Sequence, residues 1–201
     1  MPPTSANQSF PTMRRIRQIT AYHCGPAVLE MLASFYHVTL YQDQLVKSAG
    51  AGHKLYSQGM TIDELARAAS KSLPFHLQFW YKHNSTLEEL AKIISAHQHP
   101  IGVEWQGVFE EDEDEDNGHY SVVTQIDIPH NLITIADPYP RYAGHDRLFH
   151  LNFFEERWWD INEVTDPQTE KIHSLKDFHT LFMIADKGLT FPVRLSMTPG
   201  Y

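Results

Sequence analysis

"RQITAYHCGPAVLEMLASFY", residues 17–36, holds the single cysteine of a 201-residue chain. Beyond Cys24 the apolar positions Val28, Leu29, Met31, Leu32, Phe35 and Tyr36 recur at three- and four-residue steps, which predicts a helix with one face in a core. Gly25 and Pro26 open that helix, and proline is tolerated there because the N–H it lacks would have had no intrahelical acceptor. The thiol is thereby placed at a helix N-terminus, beside unpaired amides and the positive end of the dipole, which favour thiolate over thiol. A packing cysteine belongs inside the apolar pattern rather than at its edge. Cys24 reads as a nucleophile, and a nucleophilic thiol needs a base, since at its free pKa it is only a few per cent ionised at neutral pH.

The chain has 13 histidines, so position has to select the base. His119 follows Gly118 at the first residue of a β-rich run, HYSVVTQIDI (119–128), where a rigid element holds the ring at the mouth of a cleft. A PHN turn leads to a second β-rich run, LITIAD (132–137), and the two read as a hairpin that lets Asp137 approach His119 across adjacent strands. The register of that pairing is not readable from the sequence. A carboxylate on one imidazole nitrogen fixes the tautomer while the other nitrogen takes the thiol proton. Gln18, six residues before Cys24, offers a side-chain amide that can join the Cys24 backbone N–H as an oxyanion donor.

Around these residues the chain organises as α+β. Residues 1–12 read as a flexible N-terminal tail and 13–201 as one domain, with a helical half at about 24–97 and a β-rich half at about 100–190. Helices are expected at 24–36, 41–48, from Thr61 onward and at 86–97, the last two opened by capping-box pairs Thr61/Glu64 and Thr86/Glu89. AGAGHKLYSQG between them reads as a loop. FHLQFWY and PIGVEW are strand-like, LNFFEERWWD (151–160) reads as a helix and FHTLFMIAD (178–186) as a late strand. The helical part is expected to pack on one antiparallel sheet.

Composition narrows the partners. One cysteine rules out an internal disulfide framework, and a formal charge of −9 argues against a nucleic-acid backbone as ligand. The acidity is concentrated in EEDEDED (110–116), without which 18 acids face 16 bases. That run reads first as a solvated loop, but directly before Gly118-His119 it would also attract basic peptides and favour a protonated imidazole. It lacks the glycine and spaced glutamate of a calcium-binding loop. His83, His97 and His99 read as polar surface rather than zinc ligands, and Trp158-Trp159 as packing. No stretch approaches a membrane span and no secretory pattern opens the sequence, so the expected location is cytoplasmic.

The segment "RQITAYHCGPAVLEML", the strand-like "GHYSVVTQIDI", the "ADP" that closes the next run and the intervening "GMTIDELARAA" resemble, in the same order, the bacteriocin-processing (double-glycine leader) peptidase-like families. The resemblance implies a papain-like cysteine peptidase fold with Cys24 as nucleophile, His119 as base and then acid, Asp137 as orienting residue and Gln18 as oxyanion donor. It implies a peptide or protein substrate; no cofactor or metal is expected, since no Cys or carboxylate stands at ligand spacing from the histidines. Those relatives are typically fused to an exporter that presents the leader; none is found in this sequence, so double-glycine specificity does not carry over, and the acidic run is foreign to the family pattern. Transamidation or acyl transfer by the same three residues, and a non-catalytic peptide-binding role, stay open beside hydrolysis.

Overall fold

Helix α1 (Cys24–Phe35) runs through the interior, with Ala27, Val28, Leu29 and Met31 fully buried, as a helix that is apolar on most sides must be. The computed structural model describes residues 9–109, 117–165 and 172–201; most of the expected tail and the whole acidic run 110–116 lie outside them. Ser9 and Phe10, at the end of that tail, offer their carbonyls to Arg15, and the Phe10 ring meets Phe35 edge-on at 5.7 Å.

After α1 come α2 (Gln42–Ala49), α3 (Leu55–Gln58) and α4 (Ile62–Ser72), then β1 (Leu77–Lys82), α5 (Leu87–Ser95) and β2 (Ile101–Gln106). Both expected capping boxes form: Thr61 and Thr86 each accept from the N3 amide while Glu64 and Glu89 reach back to the cap amide. The loop expected across AGAGHKLYSQG contains the one-turn helix α3, closed by Gly59 at φ 66°.

The second half supplies β3 (Gly118–Asp127), β4 (Leu132–Ala136), β5 (Asp146–His150), α6 (Leu151–Glu156), β6 (Trp159–Thr165), β7 (Ile172–Phe178), β8 (Leu181–Asp186), α7 (Phe191–Arg194) and β9 (Thr198–Pro199). Among the described residues one antiparallel sheet has the order β5-β4-β3-β2-β8-β1-β9, and β6 pairs with β7 as a separate ribbon. Helices α1, α2 and α4 cover one face, against Val122, Ala136, Phe182 and Ile184. The other face, with Trp105, Val123, Ile135 and Met183, is covered by α5, α6 and α7. The α+β class is as expected, with helices on both sides of the sheet.

Two expected elements are corrected. The helix read over 151–160 stops at Glu156, because Trp158 turns fully into the core, where its Nε1 donates to the Thr180 carbonyl at 2.9 Å, and Trp159 begins β6. The strand read over 178–186 is two strands: His179, at φ 50° in the left-handed region, breaks it between β7 and β8. β5, β6, most of β7 and the short α7 and β9 carry too little period-2 or helical patterning to be read from the sequence.

The β3–β4 hairpin has the detail that matters most for the site. From Asp127↔Leu132 to Gln125↔Thr134 the pairing follows one register, and from Val123↔Ile135 to Val122↔Ala136 it is shifted by one, with Thr124 the extra residue of a bulge. A one-residue shift turns every later side chain to the other face. Because of it, Asp137 projects on the same face as His119 rather than the opposite one.

Gly102 on β2 shows how tightly the sheet is packed: a Cβ there would be built into the Phe182 ring, itself fully buried. Gly102→Ala is expected to destabilise the protein by about 1–3 kcal/mol, the usual range for overpacking a filled core. Urea unfolding checks this as a lower midpoint at unchanged slope.

Candidate active site

Three elements meet at one end of the sheet. The N-terminus of α1 delivers Cys24, the start of β3 delivers His119 and the residue after β4 is Asp137. His119 Nε2 lies 2.8 Å from Asp137 Oδ1, and Cys24 is close enough to the same ring to help raise its pKa. Since Nε2 is taken by the carboxylate, Nδ1 is the nitrogen left to face the sulfur. Both His119 and Asp137 are 3% exposed, so water does not compete for their hydrogen bond.

Burial works against a charged His119, but the Asp137 carboxylate, its hydrogen bond and the Cys24 side chain outweigh it, and the imidazole is pushed up to about 10. Burial likewise pushes Asp137 upward; the His119 charge and hydrogen bond, the Tyr139 amide and Arg147 together hold it below the usual carboxylate range. An ionised carboxylate only accepts, so His119 carries its proton on Nε2 when neutral and presents a lone pair at Nδ1.

Gln18 is buried beside Cys24 in the wall of the same cleft. Its Nε2 donates to the carbonyls of the consecutive residues Thr20 and Ala21, at 2.9 and 3.1 Å. Those bonds anchor the amide, which an oxyanion would have to share. His23, the histidine next to Cys24 in sequence, is turned elsewhere: its Nδ1 is 2.6 Å from Thr20 Oγ1 and its Nε2 faces Asp43, while burial, partly offset by Asp43, lowers its pKa.

Cys24 and His119 open onto a cleft of about 580 Å³. Its helical side carries Tyr22, Met60 and Thr61; its sheet side carries Phe109, Asn117 and Tyr139; and four consecutive residues of β6, Asp160 to Glu163, form a third wall. The Phe109 ring meets His119 edge-on at 5.1 Å and Tyr139 at 4.6 Å, shielding the imidazole. A Cβ at Gly118 would overlap the Asp160 carboxylate, which would have to shift to admit it. Behind the site Tyr120 donates to the buried Glu104, whose carboxyl is raised to about 7 by burial.

Gln18, Cys24, His119 and Asp137 are thus brought together. Sequence reading missed Arg147, which bonds Asp137, and the β6 wall; Arg147 lies in GHDRLFH, a stretch with no pattern to draw attention to it. The other histidines weighed above serve packing. His99 Nε2 bonds the Tyr36 hydroxyl at 2.8 Å, His97 stacks on Phe191 at 4.1 Å and His83 bonds Thr180 at 2.9 Å. No group of three or more His, Cys, Asp or Glu side chains among the described residues is arranged to hold a metal ion, and no helix among them is long and apolar enough to cross a membrane.

The sequence matches the Peptidase_C39 like family over residues 10–166. Among solved structures, the peptidase domain of Streptococcus ComA, a bi-functional ABC transporter involved in a quorum sensing pathway, is similar at 18% identity and a TM-score of 0.57, over 87% of this chain and 99% of that one. A double glycine motif protease from an AMS/PCAT transporter, in complex with the leader peptide, is similar at 17% identity and a TM-score of 0.52, over 90% of this chain and 100% of that one. These likenesses extend to the α+β arrangement of N-terminal helices and antiparallel sheet. No curated protein matches the chain.

Proposed function

Given that this chain belongs to the Peptidase_C39 like family, we propose that it is a papain-like cysteine peptidase that cleaves a peptide or peptide-like amide through a thioester on Cys24. The observation that carries this reading is one buried imidazole bonded to a carboxylate, in the wall of the same cleft as the only thiol of the chain, whose charge raises the pKa of that ring. In the proposed sequence the Cys24 proton passes to His119 Nδ1 and Sγ adds to the substrate carbonyl. The oxyanion is held by the Cys24 backbone N–H, which has no acceptor within its own helix, and by one N–H of Gln18, while the other is shared by the Thr20 and Ala21 carbonyls. Collapse of the adduct breaks the C–N bond as His119 gives its proton to the departing amine. Water, losing a proton to His119, then adds to the thioester; the acid leaves and the thiol is restored.

One of the solved relatives holds a leader peptide, and a peptide is accordingly the substrate class proposed here. The acidic run just before Gly118-His119 in sequence supports a preference for Lys- and Arg-rich peptides. The test is trapping with a library of peptide aldehydes and chloromethyl ketones that spans basic, neutral and acidic sequences. Mass spectrometry is expected to find adducts on Cys24 with basic peptides enriched; no adduct with any of them counts against the reading. Turnover of a trapped sequence, with and without an added amine, then separates hydrolysis from acyl transfer, since a coupled product with little free acid would identify a transferase.

A further inference from the structure

Asp137 uses its two oxygens differently. Oδ1 accepts from His119 Nε2 and, at 2.9 Å, from the Tyr139 amide; Oδ2 accepts from Arg147 Nη1 at 2.8 Å. The other prong of the same guanidinium, Nη2, donates to the Val108 carbonyl at 3.0 Å, just beyond β2. The guanidinium carbon lies 3.7 Å from the centre of the Tyr142 ring and 4.7 Å from that of Phe149, so the group is packed by two aromatic rings as well as bonded through both prongs. Arg147 stands on β5 opposite Ile135, two residues before Asp137 on β4, which explains how the sheet brings the pair together. Its neighbour Asp146 is taken by Arg15 and Thr124 instead.

We propose that Arg147 is a positioning residue of this site, which fixes the Asp137 carboxylate that orients His119 and ties that carboxylate to the chain segment following β2. The assignment rests on the reading of Cys24 and His119 given above. The charged and titratable groups around Asp137 are His119 from β3, with Cys24 of α1 beyond its ring, and Arg147 from β5; Tyr139 adds an amide and Tyr142 an aromatic face. A buried carboxylate held by one full positive charge besides the imidazole is easier to protonate when that charge is removed. Once protonated, Asp137 no longer supports a protonated His119 against the Cys24 thiolate. Loss of Arg147 therefore moves the acid side of Cys24 reactivity to higher pH and leaves the alkaline side, where the thiol ionises unaided, nearly unchanged.

The experiment measures the rate of Cys24 alkylation by iodoacetamide from pH 4 to 10 in the wild type, Arg147→Met, Arg147→Lys, Asp137→Asn and the Asp137→Asn/Arg147→Met double variant. Arg147→Met is expected to react about tenfold more slowly at pH 5, the factor that one pH unit represents, and within about twofold of wild type at pH 9. The pH 9 rate and an unchanged near-ultraviolet dichroism spectrum report an intact fold. Arg147→Lys keeps the charge but, as a point donor, not the fork, and is expected to recover most of the loss, to within about threefold of wild type at pH 5. It carries the test if the methionine variant does not fold. In the Asp137→Asn background, Arg147→Met is expected to change the pH 5 rate by less than about twofold, because the group it acts through is already gone. Superimposed profiles of wild type and Arg147→Met, or an undiminished tenfold effect in the Asp137→Asn background, overturn the assignment of Arg147 alone. A wild-type profile that rises as one ordinary thiol ionisation overturns the reading of Cys24, and the assignment with it.

Discussion

Replacing Cys24 with alanine is expected to remove peptide hydrolysis, by on the order of 10⁴-fold or more, while leaving the affinity for an uncleaved peptide within about twofold. The reason is chemical: without the sulfur no thioester can form, Cys24 is the only cysteine of the chain, and of its neighbours His23 is turned to Thr20 and Asp43 and Gln18 is an amide. The substitution costs little in structure, because it removes one sulfur atom at the first residue of α1 and leaves the packed side chains further along the helix in place. The measurement is progress curves on a peptide found by trapping, with binding of the same peptide followed by calorimetry. Unaltered binding with no turnover fits the peptidase reading; equal and negligible turnover in wild type and variant would instead leave a peptide-binding module.

His119→Ala gives the second large effect, and its sign depends on pH. In the wild type the Cys24 proton can pass to a ring whose neighbours push it up to about 10, so the imidazolium persists across the neutral range. With alanine the imidazole is gone, and the reactive fraction falls to the few per cent or less of an unassisted thiol. Iodoacetamide labelling of Cys24 is expected to slow by roughly tenfold to a hundredfold at pH 6 and to converge with wild type near pH 10, where hydroxide does the work of the base. Equal rates at pH 6 would remove His119 from the mechanism. The same shift links stability to pH. A histidine raised from its ordinary value of 6.5 contributes stability that is complete below that value and is lost as pH rises through about 10. The thermal midpoint of the wild type should therefore fall from pH 7 to 10 more steeply than that of His119→Gln.

Much of this was legible before any fold was known. The α1 pattern and the two capping boxes are local: they depend on side chains three and four residues apart, and the structure has them where they were read. Cys24 at a helix start and His119 at a strand start were legible for the same reason. Less was visible past residue 140. LNFFEERWWD has helical spacing throughout, yet the burial of Trp158 against Thr180 ends the helix at Glu156. A contact 22 residues away in sequence outweighs a weak local propensity. Arg147 was invisible because nothing in GHDRLFH differs from an ordinary surface stretch; its role arises only when β5 is laid beside β4.

What the sequence determined by itself was the set of chemical groups and the elements that carry them: one thiol at the mouth of an apolar helix, a histidine opening one strand, an aspartate closing the next, and an amide six residues before the thiol. What only the tertiary structure decided was that these groups meet. The extra residue at Thr124 shifts the β3–β4 pairing by one, and without it the alternation of side chains along a strand would turn Asp137 to the face away from His119. Such a bulge is set by packing on both faces of a sheet at once, which no short stretch of sequence encodes.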